Sequence, residues 1–150
     1  MVTRYHLLKN CSMFYRITQM HYADRLKAYD LGAGQQFFMW RIGMYPGVSM
    51  AELAVNGAYD NATVTRAVKK LEENGYIRVE PDARDRRAKR LYPTEKGTAM
   101  LEPIRQMRAD WFAQVTEGFT DAEKAQADAL IARLADSARR CLEKEQNRNE

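Results

Sequence analysis

The chain has 150 residues, of which 45% are hydrophobic, and this is enough for one domain or for one domain with an oligomerisation extension. It has no apolar run near the roughly 18 residues of a membrane span, and its start lacks a basic-then-apolar signal layout, so we expect a cytoplasmic protein with no membrane contact. The net charge of +4 is compatible with an anionic partner, and the two cysteines, Cys11 and Cys141, fit no disulfide or zinc pattern.

Two helices are predicted before residue 46. The first spans about 5–29 and has a wide apolar face, made by Leu7, Leu8, Cys11, Phe14, Tyr15, Thr18, Tyr22 and Leu26. This is more apolar surface than a single helix needs to pack on a small domain. The helix is therefore either a core helix or one that packs against a second copy of the chain. The second helix, 35–45, is rich in large apolar residues that we assign to the core: Phe37, Phe38, Trp40, Ile42 and Met44.

A helix-turn-helix pattern follows. Ser49 and Glu52 form a capping box at the start of a short helix, which Asn56-Gly57 should end. The next helix is predicted to begin after Asp60, a good N-cap, and to stop before Gly75. Its buried stripe at helical spacing is Val64, Ala67, Val68 and Leu71. Its opposite face carries Asn61, Thr65, Arg66, Lys69 and Lys70.

The hydrophobic period then changes to two. Ile77 and Val79 are predicted to face inward on a strand that Pro81-Asp82-Ala83 ends, and a second strand restarts at Leu91. Between the strands, residues 84–90 contain five Lys or Arg and one Asp, a local charge of +4. Two short helices, a tight turn and a hairpin are the order of a winged helix-turn-helix. Charge concentrated on a hairpin tip favours binding to phosphates, although a merely solvated hairpin has the same composition.

Two more helices are predicted after the hairpin. The first has Thr94 as its N-cap and an apolar stripe of Met100, Ile104, Met107, Trp111 and Val115. Pro103 lies inside this helix and should bend it. The last helix starts at Thr120 or Asp121, and its seam is Ala127, Ile131, Leu134, Ala138 and Cys141. This spacing is coiled-coil-like, which favours a dimer contact over packing on the chain's own domain.

Several runs of residues carry a family resemblance. They are Pro46-Gly47-Val48-Ser49, Glu52-Leu53-Ala54, Ala62-Thr63-Val64-Thr65-Arg66, Leu71-Glu72-Glu73-Asn74-Gly75-Tyr76-Ile77, Asp82-Ala83-Arg84-Asp85-Arg86-Arg87 and Leu91-Tyr92-Pro93-Thr94-Glu95-Lys96-Gly97. Together they resemble the MarR family of small dimeric bacterial DNA-binding proteins, closely over about 35–105. The sequence departs from the family in the turn between the two motif helices, where Gly57 and Ala58 replace the usual Leu and Gly.

The resemblance implies a mainly α fold with a small two- or three-stranded β wing. It implies a single domain over 1–150, with a DNA-binding lobe at 35–95 and dimerisation helices at 1–32 and 98–145. The implied function is a transcriptional regulator, more often a repressor, that binds a pseudo-palindromic operator as a homodimer and is released by a signal. A winged helix that binds a protein partner without an operator is the alternative.

The implied DNA-binding residues lie on the recognition helix, the helix before it and the wing. They are Ser49, Asn61, Ala62, Thr63, Thr65, Arg66, Lys69, Lys70, Arg84, Asp85, Arg86, Arg87 and Lys89. In the family, the helix that matches 60–74 enters the major groove. The wing arginine, here Arg87, enters the minor groove, and the aspartate that matches Asp85 orients it. A narrow minor groove attracts a guanidinium because its electrostatic potential is strongly negative.

The signal that releases the operator has several alternatives. A small aromatic or phenolic effector would bind between the dimerisation helices and the DNA-binding lobe, near Phe37, Trp40, Arg41, Tyr45 and Trp111, although these residues equally suit the core. Some relatives sense organic peroxides through a cysteine placed like Cys11, whereas an apolar-face cysteine is usually a small buried hydrophobe. No effector at all is the third alternative. No hydrolase, zinc-protease or phosphate-loop motif is present, so we expect no catalytic residue, no metal and no cofactor.

Overall fold

A computed structural model of the protein describes residues 4–148. Residues 1–3, 149 and 150 lie outside the described residues. They are the ends of the predicted domain, and the first three belong to the start that was predicted to carry no signal sequence. The helices are α1 (Arg4–Leu26, followed by a 3-10 turn at Lys27–Tyr29), α2 (Gln35–Met44), α3 (Met50–Gly57), α4 (Asn61–Glu73), α5 (Glu95–Ala99), α6 (Leu101–Val115) and α7 (Asp121–Gln146). The strands are β1 (Val48–Ser49), β2 (Ile77–Pro81) and β3 (Lys89–Pro93). The predicted fold class, mainly helical with a small β wing, is confirmed.

The chain forms two compact units that divide between Arg108 and Ala109. The core of the first unit is built from the end of α1, from α2, α3, α4 and the sheet, and from the start of α6. Its largest fully buried side chains are Leu26, Phe38, Met39, Ile42, Leu53, Val64, Leu71, Leu91 and Ile104. The four predicted stripe residues of α4 are all buried. The core assignment of Met44 is wrong, because Met44 lies off the helix face that Phe38 and Ile42 share and is 51% exposed.

The sheet is antiparallel, with strand order β1-β3-β2. Leu91 of β3 is the centre of the sheet, because it pairs with Val48 on one side and with Val79 on the other. Ile77 is buried and Val79 packs partly buried on the core, as predicted. The ladder between β2 and β3 ends at the pair Pro81 and Lys89, so residues 82–88 form a tip beyond the sheet.

The turn between α3 and α4 explains the departure from the family pattern. The helix α3 includes Gly57, and the chain reverses one residue later than predicted, at Ala58, which adopts a left-handed conformation with φ of 54°. Tyr59 then supplies an apolar contact, since its ring centroid lies 5.4 Å from that of Phe37 and 4.8 Å from that of Phe38. A Cβ at position 57 would lie 2.5 Å from a Tyr59 ring carbon. Glycine is therefore required where this ring packs.

The helix predicted after the sheet is divided shortly before Pro103, the residue that was predicted to bend it. Thr94 caps α5 as predicted, through a hydrogen bond from the Gly97 N–H to its Oγ1 (3.1 Å). The helix ends at Ala99, and a new helix begins at Leu101, which places Pro103 in the first turn of α6. Proline is tolerated there because the first N–H groups of a helix have no intrahelical acceptor to lose.

The two predicted dimerisation helices have exposed apolar side chains. On α1 these are Leu7, Leu8, Met13, Phe14, Tyr15, Ile17 and Met20, and on α7 they are Leu130, Ile131, Leu134 and Leu142. A capping box of Thr120 and Glu123 fixes the start of α7, at the predicted position. In the part of the chain that is described, no helix has both the length and the apolar character to cross a membrane.

Candidate nucleic-acid interface

The start of α4 is fixed by Asp60, whose carboxylate holds Thr63 twice. Oδ1 of Asp60 accepts the Thr63 N–H (2.7 Å), and Oδ2 accepts the Thr63 hydroxyl (2.8 Å). The hydrogen bond from the Thr63 N–H is the main reason that the pKa of Asp60 lies below its ordinary value. The Thr63 Oγ1 in turn accepts a hydrogen bond from Nη2 of Arg66 (3.1 Å). This relay orients an arginine on the face of α4 that points away from the core.

The outward face of α4 matches the predicted set of DNA-binding residues. Its exposed members are Asn61, Ala62, Thr65, Arg66, Lys69 and Lys70, and Thr63 is partly buried. The Thr65 hydroxyl already donates to the Asn61 carbonyl (2.8 Å), so its oxygen remains as an acceptor. Lys69 lies 3.8 Å from Glu73 in an exposed ion pair that contributes little to stability.

The wing presents its basic residues at the tip. Arg84, Asp85, Arg86, Arg87 and Lys89 are all exposed. The family resemblance implies that Asp85 orients the side chain of Arg87. In the structure, Asp85 contacts the backbone of Arg87 instead. Oδ1 of Asp85 accepts the Arg87 N–H at 3.0 Å, and the Asp85 carbonyl accepts the Ala88 N–H at 2.9 Å. Asp85 therefore shapes the turn that carries Arg87.

An open groove of about 530 Å³ lies between α4 and the wing. It brings together four of the predicted DNA-binding residues, Thr65 and Lys69 from α4 and Arg86 and Lys89 from the wing. Its wall also contains Glu72 and Glu80, and Glu80 is neutralised by Arg78 at 2.6 Å. Basic side chains on two facing elements are the arrangement that follows a phosphate backbone.

Ser49 lies outside this groove, at the start of α3. Its Oγ accepts the Glu52 N–H (3.1 Å), and the Ser49 N–H donates to Oε2 of Glu52 (2.7 Å), which completes the predicted capping box. The Ser49 N–H, followed by its hydroxyl, lowers the pKa of Glu52, so the Ser49 side chain is engaged in the cap.

Asp82 and Arg90 organise the wing, and the sequence reasoning did not select them as site residues. Asp82 accepts the N–H groups of Arg84 (2.7 Å) and Asp85 (3.1 Å) through Oδ1, and Nε of Arg90 (2.5 Å) through Oδ2. The hydrogen bond from Arg90, followed by those from the two amides, lowers the pKa of Asp82 to about 2. An aspartate at the start of a turn commonly accepts the N–H two residues on, and this was the signal that could have identified Asp82.

The residues predicted to bind an effector belong to both compact units. Phe37, Trp40 and Arg41 lie on α2 and Tyr45 directly follows it, whereas Trp111 lies on α6 in the second compact unit. Phe37 stacks on Phe38 and Tyr59 as part of the core, and the Arg41 guanidinium lies 4.3 Å from the Tyr45 ring. Cys11 is a partly buried free thiol on α1.

A partly buried arginine contacts Trp40 instead. The Arg108 guanidinium lies 5.0 Å from the Trp40 ring and donates to Oε1 of Gln36 through two nitrogens, at 2.8 and 2.6 Å. Burial lowers the pKa of Arg108. Burial also raises the pKa of Tyr22, and the positive charge of Arg108 offsets part of that rise. Arginine stays protonated nonetheless, so a cation is present beside an aromatic face.

Comparisons with known proteins agree with this geometry. The model of the MarR family matches residues 33–89. The HTH-type transcriptional regulator YybA of Bacillus subtilis is 33% identical over 128 residues, which cover 85% of each chain. The DNA-binding transcriptional repressor ScoC of the same species is 36% identical over 76 residues, or 51% of this chain and 37% of that one.

A solved structure is similar over nearly the whole chain. A MarR family transcriptional regulator from Listeria monocytogenes, complexed with a 26mer DNA, has a TM-score of 0.83, 26% identity and 87% coverage of both chains. Members of the MarR family are transcriptional regulators and not enzymes. The sequence relatives, the family model and the shared fold together show that this chain belongs to the MarR family of transcriptional regulators.

Proposed function

We propose that this protein is a cytoplasmic repressor that binds a pseudo-palindromic operator as a homodimer and leaves it when a signal arrives. The observation that carries the DNA-binding part is the groove between α4 and the wing, where Lys69 faces Arg86 and Lys89. In a dimer, two copies of α4 would enter successive major grooves, one helical turn apart. The wing arginine Arg87 would enter the flanking minor groove.

Dimerisation is supported by the apolar side chains that the single chain leaves exposed. Leu8 and Met20 of α1 are 70% and 72% exposed, and Ile131 and Leu134 of α7 are 51% and 44% exposed. Apolar faces of this extent on a small protein mark an interaction surface. Repression is supported by the similarity to ScoC, a DNA-binding transcriptional repressor.

Release by a small aromatic or phenolic effector is supported by the cation that Arg108 places beside the ring of Trp40. A phenolate or carboxylate could pair with the guanidinium while its ring packs on the indole. Peroxide sensing by Cys11 is the other proposed input, and it requires a thiolate that an oxidant can reach. Titration of the protein–DNA complex with a hydroxybenzoate and with an organic peroxide separates the two inputs.

The DNA-binding proposal is tested with a duplex from the region upstream of the protein's own gene, first by footprinting. Arg66→Ala and Arg87→Ala each remove one charge per subunit, so each should lower the salt slope of binding by about 1–2 units. Each should also cost about 1–3 kcal/mol per half-site if the arginine contacts a base or a groove wall. Arg66→Ala should relax base preference at one symmetric pair of positions, whereas Arg87→Ala should reduce preference for A·T in the flanks.

Arg105→Ala is the matched control. It removes the same charge from α6, where Arg105 pairs with Glu102, and it should leave both affinity and salt slope unchanged. A protein that leaves no footprint, and whose binding does not weaken with salt, would instead be a winged helix that contacts a protein partner.

A further inference from the structure

Arg90 connects three separate elements of the first compact unit. Its Nε donates to Oδ2 of Asp82 in the wing at 2.5 Å. Its Nη1 donates to the Gly47 carbonyl before β1 at 3.2 Å and lies 3.6 Å from Oε2 of Glu52 on α3. Only arginine offers several donors in a fixed fork, so a single side chain can reach all three acceptors.

One end of this connection is the wing tip. Residues 82–88 lie beyond the β2–β3 ladder, and a hydrogen bond from the Asp82 N–H to the Ala88 carbonyl (2.9 Å) closes the base of this tip. Asp82, which Arg90 holds, also accepts the amides of Arg84 and Asp85. The position of Asp82 therefore sets the position of the basic tip.

The other end is the helix-turn-helix. Glu52 caps α3 through its contact with the Ser49 N–H (2.7 Å), and α3 packs on α4 through the buried side chains of Leu53 and Val64. The arginine thus ties the wing tip to the helix pair that holds the recognition face of α4.

The surroundings of Arg90 also separate it from the residues that face DNA. Two carboxylates neutralise its charge, and its side chain is 38% exposed. Arg84, Arg86 and Arg87 are exposed at the tip. None of their guanidinium groups forms an ion pair with a carboxylate in the described part of the chain. A cation that already has two carboxylate partners contributes little to counterion release from DNA.

We propose that Arg90 is a positioning residue for DNA binding, which holds the wing tip at a fixed distance from α4 without itself contacting the duplex. With the tip fixed, the wing and α4 contact the same duplex at once and lose less conformational freedom on binding. The inference rests on the proposed DNA binding by α4 and the wing.

The test measures Arg87→Ala in two backgrounds, on the footprinted duplex. Arg90→Gln alone should weaken binding by about tenfold, the effect of losing roughly one ordered contact. If Arg90 acts through the wing, Arg87→Ala should cost clearly less in the Arg90→Gln background than in the wild type. Equal costs in the two backgrounds would overturn the proposal, because they would mean that Arg90 acts independently of the wing.

Arg90→Lys distinguishes position from charge. It keeps the net charge but cannot reproduce the three-way fork, so it should bind more weakly than the wild type. Wild-type affinity in Arg90→Lys would overturn the proposal, since charge alone would then suffice.

Two further results separate this inference from the proposed function. If Arg87→Ala alone binds like the wild type, wing binding itself fails, and the inference fails with it. If Arg87→Ala loses affinity while Arg90→Gln does not, the proposed function stands and only the role of Arg90 is refuted. Thermal denaturation of each variant shows whether a loss of affinity reflects a loss of folded protein.

Discussion

Gly97 is the position where the structure makes the sharpest stability prediction. It lies in α5, directly after the wing, and its backbone is in contact with the carbonyl group of Tyr76. A Cβ at this position would lie far inside van der Waals contact of the Tyr76 oxygen, and 3.1 Å from both the Tyr76 carbonyl carbon and Cε of Met39. The Tyr76 oxygen cannot easily move, because it accepts the Thr94 N–H at 3.0 Å.

Gly97→Ala should therefore destabilise the protein, although alanine is the better helix former. Alanine gains about 1 kcal/mol over glycine within a helix. Overpacking a buried site costs about 1–3 kcal/mol and occasionally more, and here the obstacle is backbone rather than a flexible side-chain end. Because the obstacle is backbone, we expect a cost in the upper part of this range, about 2–3 kcal/mol. The net loss is then about 1–2 kcal/mol, and for a protein of this size that lowers Tm by roughly 2–8 °C.

Gly34→Ala is the matched control, because a Cβ there meets nothing within 4 Å and the φ of −69° is ordinary for alanine. It should change stability by less than about 1 kcal/mol, because the gain of about 0.4–1 kcal/mol from a less flexible unfolded chain is offset in part by alanine's poorer capping at the N-cap of α2. Both variants are compared with the wild type by thermal denaturation at one protein concentration, since oligomerisation makes Tm depend on concentration. Equal Tm values for Gly97→Ala and Gly34→Ala would refute the close approach of α5 to Tyr76.

Three further predictions concern the wing, the dimer and the thiol. The pKa of Asp82 is about 2 when folded, against an ordinary 3.8, so its contribution to stability is present above pH 3.8 and is lost as the pH falls toward 2. Asp82→Asn should therefore reduce the loss of unfolding free energy between pH 3.8 and pH 2, measured by acid titration. An unchanged loss over this range would contradict the Asp82–Arg90 contact. Light scattering at micromolar concentration should give twice the 17.4 kDa chain mass, and a monomer would exclude the two-half-site mechanism. If Cys11 senses peroxide, Cys11→Ser should bind DNA normally yet fail to release it on peroxide treatment, and a wild type that keeps its DNA under peroxide would exclude this input.

The parts of the fold that depend on neighbours in sequence could be predicted from sequence. The capping contacts of Ser49, Asp60, Thr94 and Thr120 all occur where the sequence places them. Each is a hydrogen bond between residues three apart, so local geometry decides it. The inward side of β2 followed in the same way from the alternation of Ile77 and Val79.

The parts that depend on long-range packing could not be predicted in this way. The extra residue of α3 before its turn depends on the Tyr59 ring, which reaches back to Phe37 on another helix. The division between α5 and α6 places Pro103 in a first turn, although the apolar stripe begins at Met100, between the two helices, and gives no sign of the division. Periodicity records which face is buried, but not where the backbone is interrupted.

The candidate site shows the same distinction between a helix and a hairpin tip. On α4, the 3.6-residue period and the buried Val64 and Leu71 leave Arg66 and Lys69 no direction but outward, so their exposure followed from sequence. At the tip the period ends, and the charge of the five basic residues of 84–90 does not separate the three of the tip from Lys89 and Arg90, which lie on β3. The structure separates them, since Arg90 turns inward to Asp82 and Glu52 while Arg84, Arg86 and Arg87 remain exposed. A count of basic residues in a wing therefore overstates its charge toward DNA, because the carboxylates that hold the wing in place use one of them.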